Sequence, residues 1–244
     1  LYIETELPIK YFGSSYGGWY VSEKNLSNNL TVLSAGVGED ISFDIEIMNN
    51  FKSKIFFIDP TPKAIAHINN VLKSLGNHKT KNYNEKSGKQ IIESYNLSKI
   101  QVDDFLLIKK ALYNKSNLIV KFFKPQNEQH VSHSISNFQN QFKKNSEYIE
   151  VTTTTIQDIV NEHKINHIDI LKLDIEGAEN QVIPYFLKRK IYPKQLLVEF
   201  DELSTGFIMP YLKALFIFIK LNINSYKLVK TEDFPNFLFI RENN

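Results

Sequence analysis

The stretch Thr31-Val32-Leu33-Ser34-Ala35-Gly36-Val37-Gly38-Glu39-Asp40 decides the fold. Its first half is a short apolar run ending at glycine, which is how a buried parallel strand reads. Its second half lets the backbone turn tightly, and two glycines keep Cβ atoms away from a ligand. Residues 40–51 follow with Ile41, Phe43, Ile45, Ile47 and Met48, and predict a helix. A second buried strand, Ile55-Phe56-Phe57-Ile58, is closed by Asp59-Pro60. A helix is expected from Pro62 to Leu75, with proline in the first turn, where its missing N–H costs nothing.

The alternation continues along the chain. Residues 76–100 are polar and read as a loop with one helix near 90–95. Leu106-Leu107-Ile108, leading to Ala111-Leu112, reads as a third strand. Residues 117–123 alternate and suggest a sheet edge or hairpin, and 125–145 form a long polar connection. A β-rich stretch at 148–154 and a helix at 155–163 follow. Further strands are expected at 167–174 and 195–200, helices at 178–190 and 207–221, and a final strand pair at 226–230 and 237–241. Strands alternating with helices imply a parallel sheet covered on both faces. A short link at the end makes the last pair antiparallel. The expectation is one α/β domain over residues 1–244, with 1–30 as an N-terminal cover. The most apolar segment, 207–221, is too short to span a bilayer and reads as a buried amphipathic helix.

Ligands of open α/β sheets bind at the carboxyl ends of the strands. The first such end is the Gly36–Asp40 loop. A dinucleotide fingerprint would carry a third glycine and bare amides for a pyrophosphate. Here Glu39 and Asp40 stand where that anion would go, so a ligand with cationic groups is favoured. The alternative is a tight turn whose acids complement the helix dipole. Asp59, about twenty residues on, is placed to bind ribose hydroxyls, or it initiates a turn. The fourth strand ends in Asp174-Ile175-Glu176-Gly177-Ala178-Glu179, and the fifth in Glu199-Phe200-Asp201-Glu202. Carboxylates gathered at strand ends read as a catalytic or metal site.

These features together resemble one family. The motifs are Gly17-Gly18-Trp19-Tyr20, residues 34–44, Phe57-Ile58-Asp59-Pro60-Thr61-Pro62, His130-Val131-Ser132-His133-Ser134, residues 172–179 and Leu197-Val198-Glu199-Phe200. In order and spacing, across about residues 15–240, they resemble the FkbM family of S-adenosylmethionine-dependent methyltransferases. The resemblance implies a Rossmann-like class I fold with a mostly parallel seven-stranded sheet and an antiparallel C-terminal strand. It also implies methyl transfer, commonly to a hydroxyl of a sugar or polyketide.

By that resemblance Gly36, Gly38 and Glu39 surround the methionine part of the cofactor, and Asp59 with Pro60 takes the ribose. Ala111, Leu112 and Asp174 complete the cofactor contacts. Ser132, Ser134 and Glu176 are expected acceptor contacts; Trp19 and Tyr20, read from the residues, either stack against the acceptor or cover the cofactor, or anchor the N-terminal segment in the core. One departure is Asp201 after Phe200, where many relatives carry histidine, which leaves the fifth-strand catalytic group open.

A sugar hydroxyl needs a base or a metal to become nucleophilic. Asp174 is the first candidate base, Glu199 the second and His133 the third. Asp174, Glu199 and Asp201 are candidate oxygen ligands for Mg2+, a second reading. A nicotinamide-dependent oxidoreductase or a non-catalytic binding module on the same fold are the readings from other classes.

Composition narrows the partners. Hydrophobic residues are 42%, charged residues 23%, and the net charge is +2. Basic runs such as Lys188-Arg189-Lys190 are too short for a nucleic-acid face, so a small molecule or glycan is the expected partner. With no cysteine there is no disulfide framework and no thiolate metal site. That suits a reducing, cytoplasmic setting. The N-terminus is no signal peptide and lacks an initiator methionine, and the chain reads as a segment of a longer polypeptide.

Overall fold

The computed structural model describes residues 3–4, 7–24, 26, 28–124, 135, 146–205, 207–229, 231 and 233–242. In chain order the strands are β1 (Ile3–Glu4), β2 (Ile9–Phe12), β3 (Trp19–Ser22), β4 (Leu30–Ala35), β5 (Ser53–Ile58), β6 (Phe105–Ile108), β7 (Ala111–Leu112), β8 (Ile119–Phe123), β9 (Tyr148–Thr154), β10 (Ile170–Leu173), β11 (Gln195–Glu199), β12 (Tyr226–Val229) and β13 (Asn236–Arg241). The helices are α1 (Ser42–Asn50), α2 (Pro62–Lys73), α3 (Ile156–Glu162), α4 (Glu179–Lys188) and α5 (Ile208–Ile223).

The main sheet runs β1-β12-β13-β11-β10-β4-β5-β6. Strand β13 is antiparallel to both of its neighbours, and the other pairings are parallel. Without the two-residue β1 this is the expected seven-stranded Rossmann-like sheet. From β4 the chain winds outward through β5 to β6, then returns to build β10 and β11 on the other side of β4. Strand order therefore reverses between β4 and β10, which opens a crevice at their carboxyl ends.

Period-two alternation sorts the side chains onto two faces. Leu33, Phe56, Leu171 and Leu196 point into one layer, closed by α3, α4 and α5. Val32, Ile55, Ile170 and Leu197 point into the other, closed by α1, α2 and the β2–β3 hairpin. Burial of each such side chain contributes about 1.5–3 kcal/mol, so the sheet's own residues hold the scaffold. Local signals set the helix starts: Thr61 caps α2 by accepting from the Ala64 amide, and Pro62 occupies its first turn. Thr155 caps α3 in the same way, at the Asp158 amide.

Two expectations need correction, and a third gains detail. The expected third strand is two. β6 belongs to the main sheet, whereas β7 joins β9 and β8 in a separate three-stranded sheet, because Lys109 and Lys110 break the apolar run. The N-terminal cover contains the antiparallel β2–β3 hairpin, pinned to the main sheet by a buried amide. Gln195 accepts from the Ser22 amide at 3.0 Å and donates to its carbonyl at 2.7 Å. Finally, α5 is not buried all round. It packs Ala214, Ile217 and Leu221 inward and leaves the opposite apolar face exposed. No helix among the described residues is long and apolar enough to cross a membrane.

Candidate functional site

The glycine loop leaves β4 with Gly36 at φ +73° and Gly38 at φ +54°, both left-handed. The Gly36 amide donates to the Ile58 carbonyl at 3.1 Å, and the Asp174 amide donates to the Ala35 carbonyl at 3.1 Å. The three strand ends are thus tied together. The Asp59 carboxylate stands beneath the loop. Its Oδ2 accepts from the Val37 amide at 3.0 Å and the Gly38 amide at 3.1 Å. Its Oδ1 accepts from the Thr61 amide at 2.8 Å and the Thr61 hydroxyl at 2.6 Å. A carboxylate has about four acceptor positions, and all four are used. In this arrangement the expected ribose acid holds the shape of the loop. Pro60 is half-buried beside it.

Beyond β10 the chain makes a strained turn, with Glu176 at φ +55° and Gly177 at φ +93°. The buried Glu179 holds that turn. Its Oε1 accepts from the Ile175 amide at 2.8 Å and its Oε2 from the Gly177 amide at 2.9 Å. From β11 comes Glu199, followed by a 3-10 turn at Asp201–Thr205. One carboxylate oxygen each from Asp174, Glu176 and Asp201 lie within 4.8 Å of one another. Glu199 hydrogen-bonds Asp201 from outside that trio. Burial, then the charges of Asp174 and Asp201, push the Glu199 carboxyl far above its ordinary value. Asp201 is raised to about 6 by burial and Asp174, opposed by hydrogen bonds from Glu199 and Glu176. Near neutrality Glu199 is the protonated partner and Asp201 the carboxylate.

Two residues of the site were not expected from the sequence. Lys172 is 4% exposed on β10; its Nζ donates to the Gly36 carbonyl at 2.9 Å and lies 3.5 Å from Asp174 Oδ2. The signal for it is a lysine inside an otherwise apolar central strand. Tyr16 sits on the turn before β3 and is half exposed. Burial raises its phenol, and the nearby carboxyls of Asp174, Glu199, Glu176 and Asp201 raise it further. That turn is anchored to the glycine loop by Ser14, whose hydroxyl donates to Asp40 Oδ2 at 2.7 Å. Opposite, Gln90 donates to the same oxygen at 2.9 Å, and Lys89 stands 3.4 Å from Glu39. The 76–100 segment therefore closes one side of the loop.

The remaining expected residues divide. Trp19 is 3% exposed and packs into the core, its ring 5.4 Å from Lys172 Nζ; it is a wall behind the site and offers no open stacking face. Tyr20 is half-buried edge-on against Tyr11. Ala111 and Leu112 are buried in packing on β7, so the residue at the end of the third parallel strand is Ile108, whose carbonyl accepts from the Asp59 amide at 3.1 Å. His130, Ser132, His133 and Ser134 lie outside the described residues.

The methyltransferase FkbM domain matches residues 20–220, most of the chain. The chain belongs to the FkbM methyltransferase family. It is an S-adenosylmethionine-dependent methyltransferase. Comparison with curated proteins and with solved structures returns no match. The donor set of this FkbM domain fits that cofactor class: the left-handed loop admits close approach of a ligand, and the carboxylates at the β10 and β11 ends attract a sulfonium and an ammonium. A pyrophosphate would face repulsion from Asp174, Glu176 and Asp201.

Proposed function

We propose that this methyltransferase modifies a hydroxyl of a sugar or glycan, with Asp174 as the base that takes up the hydroxyl proton. One observation carries the reading: three carboxylate oxygens converge within 4.8 Å beside the glycine loop. Such a set accepts hydrogen bonds from several hydroxyls at once, which suits a polyhydroxylated acceptor. Bound at the loop, S-adenosylmethionine supplies an activated methyl group on sulfur. The chain's own task is to hold the acceptor oxygen in line with that methyl. Lys172 steadies both the Gly36 carbonyl and Asp174, so the cofactor loop and the base move as one unit. Glu199 keeps its proton and orients Asp201 through their hydrogen bond. Transfer of a labelled methyl group to a panel of mono- and oligosaccharides tests the reading. Labelling only of amine or carboxyl acceptors would overturn it.

A second reading is favoured by a specific atom. Asp201 Oδ2 is buried and has no hydrogen-bond partner among the described residues. With Asp174 and Glu176 it would supply three hard oxygen ligands to Mg2+, Glu199 standing behind them. The ion would lower the pKa of a bound hydroxyl. Activity that survives EDTA removes this reading; loss restored by Mg2+ supports it.

A further inference from the structure

Helix α5 carries two apolar faces, and only one is used. Ala214, Ile217 and Leu221 pack on the sheet. On the opposite side, Ile208 is 76% exposed, Leu212 53%, Leu215 46%, Ile219 47% and Ile223 76%. Spacings of four, three, four and four residues place them in one line down the helix. That pattern is the seam of a helix that packs on another helix.

We infer that this face is the contact between two copies of the chain, joined through antiparallel α5 helices about a two-fold axis. Three observations carry this. First, the stripe is palindromic. An axis between Leu215 and Phe216 sets Ile208 opposite Ile223 of the second copy and Leu212 opposite Ile219. Leu215 then falls opposite Phe216 of the second copy. Self-complementarity of this kind is what an isologous dimer requires. Second, the area suffices. The nine exposed apolar side chains from Phe207 to Ile223 present roughly 900 Å2, taking side chains of 150–200 Å2 and their observed exposures, against about 800 Å2 per partner in a stable interface. A monomer seldom leaves so large an apolar patch in water. Third, the charge pattern disfavours a lipid surface. Membrane-lying helices carry a cation-rich polar face. Helix α5 has two lysines, one paired with Glu202 at 3.1 Å and the other over the Phe216 ring at 4.7 Å.

The test uses the chain's lack of cysteine. Sedimentation equilibrium should give twice the 28.4 kDa chain mass, and Leu212→Glu with Ile219→Glu should halve it. Those side chains touch no core, so the thermal shift given by S-adenosylhomocysteine should stay unchanged. Leu212→Gln with Ile219→Gln is the milder pair if glutamate perturbs folding. On oxidation, Leu215→Cys, beside the axis, should form a disulfide-linked dimer. Ile208→Cys should not, being about 22 Å from its copy at 1.5 Å per residue. A wild-type monomer at about 100 µM overturns the inference. So does a dimer that survives both double variants, cross-linking of Ile208→Cys and not of Leu215→Cys, or a monomer that co-sediments with phosphatidylserine vesicles.

Discussion

Gly36 and Asp174 are in backbone contact across the β4–β10 crevice: a Cβ on Gly36 would overlap the Asp174 carbonyl oxygen. The cofactor loop and the first acid of the site are therefore set against each other with no side chain between them.

Gly36→Ala should consequently cost more than about 4 kcal/mol, the range of severe core lesions, and yield little soluble protein. Gly76 is the control. It too is left-handed, at φ +88°, but nothing lies within 4 Å of a Cβ there. Gly76→Ala should cost only the conformational strain, about 1–2 kcal/mol. Urea unfolding midpoints compare the two; equal losses would refute the close-contact argument.

Asp174→Asn keeps shape and removes the charge. If Asp174 is the base, kcat should fall by about 10²–10⁴-fold while S-adenosylhomocysteine still binds. Turnover at the wild-type rate would remove the assignment.

Glu179 spends both oxygens on the Ile175 and Gly177 amides. Glu179→Gln turns one acceptor into a donor facing an N–H, at a cost of about 1–3 kcal/mol. The turn carrying Glu176 should loosen, so kcat should fall together with the melting temperature. An unchanged kcat would show that the turn's geometry is not needed.

The buried acids also set a pH dependence. Burial, opposed by Lys172, raises Asp44 to about 6, and Asp201 is raised to the same value. Between about pH 4 and 6 the folded state binds more protons than the unfolded chain, so stability should fall as pH rises through that window. Glu199, raised further, extends the decline above it. Glu85, Glu147 and Asp158 are lowered and act oppositely, but they lie at the surface, where solvent screens them. Melting temperatures from pH 4.5 to 7.5 should therefore drop toward neutrality, and Asp201→Asn should flatten the slope. A rise toward neutrality would contradict the buried-acid account.

Much of the fold was legible because its signals are local. The apolar runs at β4, β5, β10 and β11 fix a buried parallel sheet, and Gly36 with Gly38 marks where the chain must turn without side chains. The family motifs lie on the same stretches. Legibility stopped where a residue's role depends on what folds against it. Asp59 reads as a ribose acid or a turn initiator, and only the fold shows that the loop amides and Thr61 also donate to its oxygens. Trp19 reads equally as a stacking face or a core anchor, and only the hairpin, turning it inward, selects the anchor. Tyr16, in a short glycine-flanked turn, has no pattern of its own, yet the fold brings it within the field of the acid group.

The sequence by itself determined the strand order of chemistry: a glycine loop, then Asp59, then acids at two later strand ends. Periodicity and residue type are properties of a single segment, so no partner is needed to read them. Only the tertiary structure decided which acids share a site. Asp174, Glu176 and Asp201 converge because β10 and β11 are neighbours in register and because Glu179 bends the intervening turn. Glu199 is left protonated behind them because burial and like charge act through space, across more than twenty residues of chain.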